Sequence, residues 1–313
     1  MKEKVAVIGA GMIGLSMCAL LTGNGIPTYL YVRGKTEEHK ARYHKILEEL
    51  AADCYLTDKE ITICESYLFI VTSYEELKEV SVIFECAAEK LEVKQDIFTK
   101  LRENCPSLQV VASATSAISS AELAEASGMP DKVIVAHPFY PPHLIPCVEV
   151  VPNDHTSPGS LEALTKLLKI LNREVVILKK DAPGFVANRL QYAMLREAVH
   201  IVEQGIAEPS DVDRILKFSF APRYTEIGIF EHFDNCGLDL ARDISEYLYP
   251  KLSDDKAVQK YINERCEQGY YGVKSGRGVY HWDQKRVEEL HKRVKAPYDK
   301  YFCWNVPEKL YKE

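Results

Sequence analysis

The chain has 313 residues, 46% of them hydrophobic and 27% charged, enough apolar mass to bury roughly three quarters of its unfolded surface, most simply as two domains. A net charge of −7 argues against a nucleic-acid surface, and no apolar run reaches the roughly 18 residues that cross a bilayer, so a cytoplasmic protein with neither nucleic acid nor membrane as partner is expected. Nine scattered cysteines without a C-x-x-C pair suit reduced thiols, mostly small core residues, better than disulfides or zinc.

At the amino terminus, KVAVIGAGMIGLSMCALL runs from a buried-strand pattern, Val5 to Ile8, into Gly9, Gly11 and Gly14 and then an apolar helix. That is the setting G-x-G-x-x-G requires. Gly9 permits the turn, Gly11 lets the backbone approach a pyrophosphate, and Gly14 lets helix and strand pack closely, while the helix start at Met12 and Ile13 holds the anion. The glycines interrupt the apolar stretch and no small-residue cleavage site follows, so a signal peptide is rejected.

Further strand patterns fall at 28–32, 68–73, 82–87, 109–114, 133–137, 148–151 and 173–178, with charged amphipathic helices over 36–53, 90–104 and 160–172 supplying crossovers. This alternation predicts an α/β fold, a Rossmann-type doubly wound, mostly parallel sheet that binds NAD or NADP over residues 1–182. After DAPG the texture changes: 184–205 reads as one long helix, apolar over much of its circumference and stopped by Gly205, and strand patterns largely vanish. Residues 183–313 therefore read as a second, all-helical domain for substrate binding and dimerisation. A helix so apolar needs cover on more than one side, which points to a homodimer. The lysine-rich segment from Asp283 reads as a solvated terminal helix and tail.

In such a sheet the ligand lies beyond the carboxyl ends of the strands, where Ser116, His137 and Glu149 arrive by position, with Asn188 in the first turns of the long helix. His137 closes the apolar run VIVA, and Glu149 follows twelve residues later in CVEVV. Imidazole titrates near pH 6.5, and a carboxylate fixes its tautomer and stabilises the imidazolium, which makes a general base. Each residue alone has a plainer explanation: a strand end, a solvent-facing acid, a helix cap, a buried amide. Together, a hydroxyl, an imidazole, a carboxylate and an amide at a dinucleotide crevice point to hydride transfer at an alcohol or ketone of a small-molecule substrate. His232 and Asp234 gather no further ligands, so no metal site is expected. GVKSGRG lacks the strand and helix of a phosphate loop and reads as a tight turn.

The set Gly9-x-Gly11-x-x-Gly14, SATS with Ser116, His137-Pro, VEVV with Glu149 and PGFVANRL with Asn188 resembles the 3-hydroxyacyl-CoA dehydrogenase family, over about residues 4 to 282. Within it, HPFYPPHLIPCVEVVP and NRLQYA are similar to gulonate 3-dehydrogenases and lambda-crystallins as well as to bacterial 3-hydroxybutyryl-CoA dehydrogenases, and the KSGRG ending favours the last. The resemblance implies that His137, oriented by Glu149, takes the proton of a 3-hydroxyl as hydride leaves C3, with Ser116 and Asn188 holding the reacting oxygen and adjacent carbonyl. It also implies that Glu89 and Lys94 contact cofactor or active-site groups, and that the hairpin of residues 35 to 66 meets CoA where the substrate is a thioester. Three positions depart from the family pattern. Val32 stands where NAD-using members carry an acid, followed by Arg33 and Lys35, which makes NADP plausible. Ala114 replaces an amide, and Tyr140 replaces the loop asparagine. A non-catalytic, crystallin-like nucleotide-binding protein is the rival that these departures favour.

Overall fold

The computed structural model describes residues 4–311. The chain divides into two compact units, one running to Phe185 and resuming at Val294, the other Val186–Arg293.

The first unit is built on eight short strands: β1 (Val5–Ile8), β2 (Thr28–Tyr31), β3 (Leu68–Val71), β4 (Val82–Glu85), β5 (Val110–Ser113), β6 (Val133–Pro138), β7 (Cys147–Val151) and β8 (Glu174–Ile177). They form one sheet in the order β3-β2-β1-β4-β5-β6-β7-β8. Every neighbouring pair is parallel except β6 and β7. The central strands β1, β4 and β5 are buried throughout, as expected where helices cover both faces. Successive side chains point to opposite faces, so Val5 and Val7 join one core while Ala6 and Ile8 join the other. The first core lies under α1 (Met12–Gly23), α2 (Thr36–Ala52), α3 (Asp58–Ser66) and α6 (Pro158–Ile170), the second under α4 (Leu91–Asn104) and α5 (Ser120–Ser127). Because the chain winds outward from β1 to β3 and returns to place β4 beside β1, the strand order reverses between β1 and β4, opening a crevice at their carboxyl ends. Of the nine cysteines only Cys18, Cys64 and Cys105 are buried, and four are exposed, so packing accounts for fewer of them than the sequence suggests.

The second unit contains α7 (Ala187–Glu203), α8 (Pro209–Phe218), α9 (Ile229–Cys236), α10 (Leu238–Leu248) and α11 (Lys260–Glu267), and the chain leaves it along α12 (Gln284–Lys295). Helix α7 starts later than the expected 184 because Gly184 and Phe185 both adopt positive φ, 76° and 49°, which a helix cannot contain. Only Val199 of α7 is buried, while Leu190, Tyr192, Met194 and Leu195 are exposed. No helix among the described residues is long and apolar enough to cross a membrane.

The segment read as a solvated tail instead packs onto the first unit. Tyr55 stacks on Phe302 at 4.4 Å between centroids and Phe302 on Trp304 at 4.9 Å, while the Tyr55 hydroxyl donates to Asp299 and Lys295 pairs with Asp53 at 2.6 Å. Asn172 Nδ2 donates to the Cys303 carbonyl at 2.8 Å, and Tyr311 N–H to Ser66 Oγ at 2.9 Å. The last turn of α1 is shaped for this strap: a Cβ on Gly23 would lie 2.0 Å from the Trp304 ring. Aromatic rings at spaced positions in a lysine-rich segment are the signal that a charge count hides. Trp304→Ala should therefore lower stability by about 1–3 kcal/mol in urea unfolding, below the cost of truncating a fully buried ring because Trp304 is half-buried; a change under about 0.5 kcal/mol would mark the segment as solvated after all.

Candidate active site

A cavity of about 680 Å³ lies at the carboxyl ends of β1, β2 and β4, lined by Gly9 and Gly11, by Val32, Arg33 and Lys35 after β2, and by Cys86 to Ala88 after β4. The glycines divide the work as the spacing predicts. Gly9 has φ 105°, and a Cβ there would lie 2.7 Å from the Cys86 carbonyl oxygen; one on Gly14 would lie 1.9 Å from the Gly9 carbonyl oxygen. Gly11 has nothing within 4 Å, so its missing side chain leaves room on the cavity side, at the N-cap of α1. An open backbone beside a helix N-terminus is what a pyrophosphate requires, so the residues fit a dinucleotide. Met12 and Ile13 occupy the first turn of α1 without lining the cavity, and Met12 is largely exposed.

His137 and Glu149 meet because β7 turns back against β6. The antiparallel register sets His137 directly opposite Glu149, a cross-strand pair whose Cβ atoms lie about 5 Å apart. Nδ1 of His137 lies 2.9 Å from Glu149 Oε2, and both residues are buried. With the carboxylate accepting at Nδ1, that nitrogen carries the proton and Nε2 keeps its lone pair. Phe139 and Phe185 flank the imidazole at 5.0 and 5.2 Å between centroids. The loop between β6 and β7 is anchored from below: Arg173 Nη1 donates to the Pro142 and Ile145 carbonyls at 3.1 and 3.3 Å. In that loop Tyr140 is 56% exposed, while His143 is buried. Burial, with Lys295 and Arg173 nearby, brings the His143 imidazole down to about 3, so it stays neutral.

Ser116 follows β5, the parallel neighbour of β6, so it emerges at the same edge as His137. It is exposed, while Thr115 before it is buried. Asn188 is half-buried in the first turn of α7 and belongs to the second unit. Glu89 and Lys94 do not line the cavity. Lys94 also does not sit on an exposed helix face: it is 1% exposed and pairs with Glu85, itself fully buried, at 2.7 Å. Sequence reasoning missed Glu85, although an acid closing the buried run VIFE nine residues before a lysine is a readable signal of a buried pair.

Comparison with known proteins bears on these residues. Residues 4–182 match the family model described as 3-hydroxyacyl-CoA dehydrogenase, NAD binding domain, and residues 184–282 match its C-terminal domain. The chain is similar to 5-formyl-3-hydroxy-2-methylpyridine 4-carboxylate 5-dehydrogenase of Mesorhizobium japonicum, 28% identical over 93% of this chain and 94% of that one. A solved structure of an enzyme of that name, described as an NAD+ dependent dismutase, superposes with a TM-score of 0.84 at 26% identity, over 96% of this chain and 97% of that one. L-carnitine dehydrogenase of Oceanobacillus iheyensis is 27% identical over 93% of this chain and 97% of its own. The 3-hydroxybutyryl-CoA dehydrogenase of Clostridioides difficile is 30% identical over 90% and 100%.

The open space at Gly11 carries a prediction. Gly11→Val should fold with an unchanged melting temperature yet weaken NADH binding by at least about tenfold, roughly 1.4 kcal/mol, as read by fluorescence titration; undiminished binding would place the pyrophosphate elsewhere.

Proposed function

This chain belongs to the 3-hydroxyacyl-CoA dehydrogenase family, whose members are NAD-dependent oxidoreductases acting on CH–OH groups, and on that premise we propose that it moves a hydride between NAD(P) and the C3 hydroxyl or ketone of a small hydroxy acid, free or as a CoA thioester, with His137 as general base. The observation that carries this reading is the buried 2.9 Å contact of His137 Nδ1 with Glu149, which leaves Nε2 as the basic nitrogen. When bound, the nicotinamide supplies the hydride acceptor. His137 Nε2 takes the hydroxyl proton, Glu149 balances the imidazolium that results, and Ser116 holds the reacting oxygen. Positioned base catalysis is worth about a hundredfold to ten-thousandfold, and orientation with charge stabilisation supplies the remainder. Near full-length similarity runs both to dehydrogenases named for a pyridine carboxylate and for carnitine and to a 3-hydroxybutyryl-CoA dehydrogenase, so the proposal covers the free acid and the thioester alike. The intact set of Ser116, His137, Glu149 and Asn188 speaks against the non-catalytic reading.

The cofactor reading extends from NAD to NADP. Val32 leaves no carboxylate to repel a 2′-phosphate, and Arg33, Lys35 and His39 line the same wall, with His39 Nδ1 buried and unpartnered. The second unit supports a homodimer: its helices leave Phe218 79% and Phe230 84% exposed, apolar area that an isologous contact with a second copy would cover.

In a spectrophotometric panel of acetoacetyl-CoA, 3-hydroxybutyrate, gulonate and carnitine with both cofactors, at least one substrate should be turned over. His137→Gln should cut kcat by at least about a hundredfold while sparing NADH affinity; retained turnover would sink the base assignment. Arg33→Ala should reduce kcat/KM with NADP more than with NAD, whereas a strong wild-type preference for NAD refutes the 2′-phosphate reading. Light scattering should report twice the chain mass, and a monomer would overturn the dimer.

A further inference from the structure

Around Ser116 an exposed turn is tied, through Glu89, to a buried ion pair. Glu89, in the turn between β4 and α4, receives three donors on one carboxylate oxygen: the Thr115 hydroxyl, the Ser116 N–H at 3.0 Å and the Ala117 N–H at 3.1 Å. Its other oxygen lies 3.4 Å from Lys94 Nζ. Lys94 is held in turn by Glu85 at 2.7 Å, and Glu85 also accepts from Ser113 Oγ at 2.6 Å and from the Ala87 N–H at 2.8 Å. Carboxylate, ammonium and carboxylate thus form a continuous bridge from the end of β4, through α4, to the loop after β5. A buried ion pair is costly unless every member is hydrogen-bonded; this one is, and it fixes Lys94, against which Glu89 is set as it receives the 115–117 donors. Thr115 adds to the grip, its hydroxyl accepting from the Ala117 and Ile118 N–H groups at 3.3 and 3.0 Å. The backbone of Ser116 is therefore fixed while the residue itself stays exposed.

We infer that Glu89 is a positioning residue for Ser116: anchored by the Lys94–Glu85 pair, its carboxylate locks the backbone that presents the Ser116 hydroxyl to the reacting oxygen. The inference rests on the role proposed above for Ser116. Glu89 remains a carboxylate at neutral pH, because although burial pushes its pKa up, the Thr115 hydroxyl, Lys94 and the two N–H groups outweigh burial and hold it below the usual range. In this role it acts through Ser116, whose backbone it holds.

The test uses the full chain, with hydrogen exchange over residues 113–120 and a double-mutant cycle of Glu89 with Ser116. Glu89→Ala should speed amide exchange at Ser116 and Ala117 by about tenfold or more and lower kcat by about tenfold to a hundredfold. Glu89→Gln, which keeps the shape and one acceptor oxygen, should fall between wild type and Glu89→Ala, and it stands in should the alanine variant fold poorly. Combined with Ser116→Ala, the Glu89 variants should add no further loss, since both act on one hydroxyl. Multiplying losses, unchanged exchange, or a slow Glu89→Ala beside a fully active Ser116→Ala would each overturn the inference. Retained activity in His137→Gln would sink only the base assignment, because exchange at Ser116 and Ala117 is read without turnover.

Discussion

One reversal of strand direction organises the site. Had β7 continued the parallel run of its neighbours, a crossover would separate His137 from Glu149 and no register would set them side by side. Because β7 instead folds back on β6, the pairing that reverses strand direction also places an acid opposite the histidine. The geometry of the dyad is thus set by backbone hydrogen bonds rather than by a flexible loop, and burial of both members keeps water from competing for Nδ1. The same antiparallel turn creates the loop on which Tyr140 stands, so the dyad and that exposed tyrosine share one support.

Around this dyad the carboxyl edge of the sheet is unusually rich in buried charge. Glu85, Lys94 and Glu149 are each nearly inaccessible, and none stands alone: every one has a partner at hydrogen-bonding distance. Such groups cost stability when compared with a well-packed apolar core, but they hold backbone and side chains in one arrangement more strictly than dispersion does. Rigid placement at one edge, with apolar cores on both faces of the sheet, is what a site needs if reacting atoms must be held to within a fraction of an ångström.

Much of this was legible in residue patterns. The glycine turn reads correctly because its three glycines answer three separate steric demands, two met by backbone approaches that a Cβ would violate and one by open space. Strand positions read well because parallel strands are short apolar runs, and the His137–Glu149 contact follows from two strand assignments. What was not legible depends on distant contacts. Lys94 looks like any lysine on an amphipathic helix until Glu85 is placed beside it, and Glu89 looks unpartnered until the loop after β5 brings it three donors. Periodicity also set the start of α7 too early, since it does not register the positive φ of Gly184 and Phe185 that delays the helix to Ala187.

The strap that follows α12 has a consequence for how the chain is made. The first unit is interrupted by the whole helical unit, and Phe302 and Trp304 complete the core around Tyr55 and Gly23. On a ribosome the sheet, glycine turn and dyad all emerge early, yet the floor beneath α1 stays open until Phe302 and Trp304 have been synthesised. Vectorial synthesis therefore leaves the dinucleotide-binding unit unfinished while the helices form, and only chains translated past Trp304 can close it.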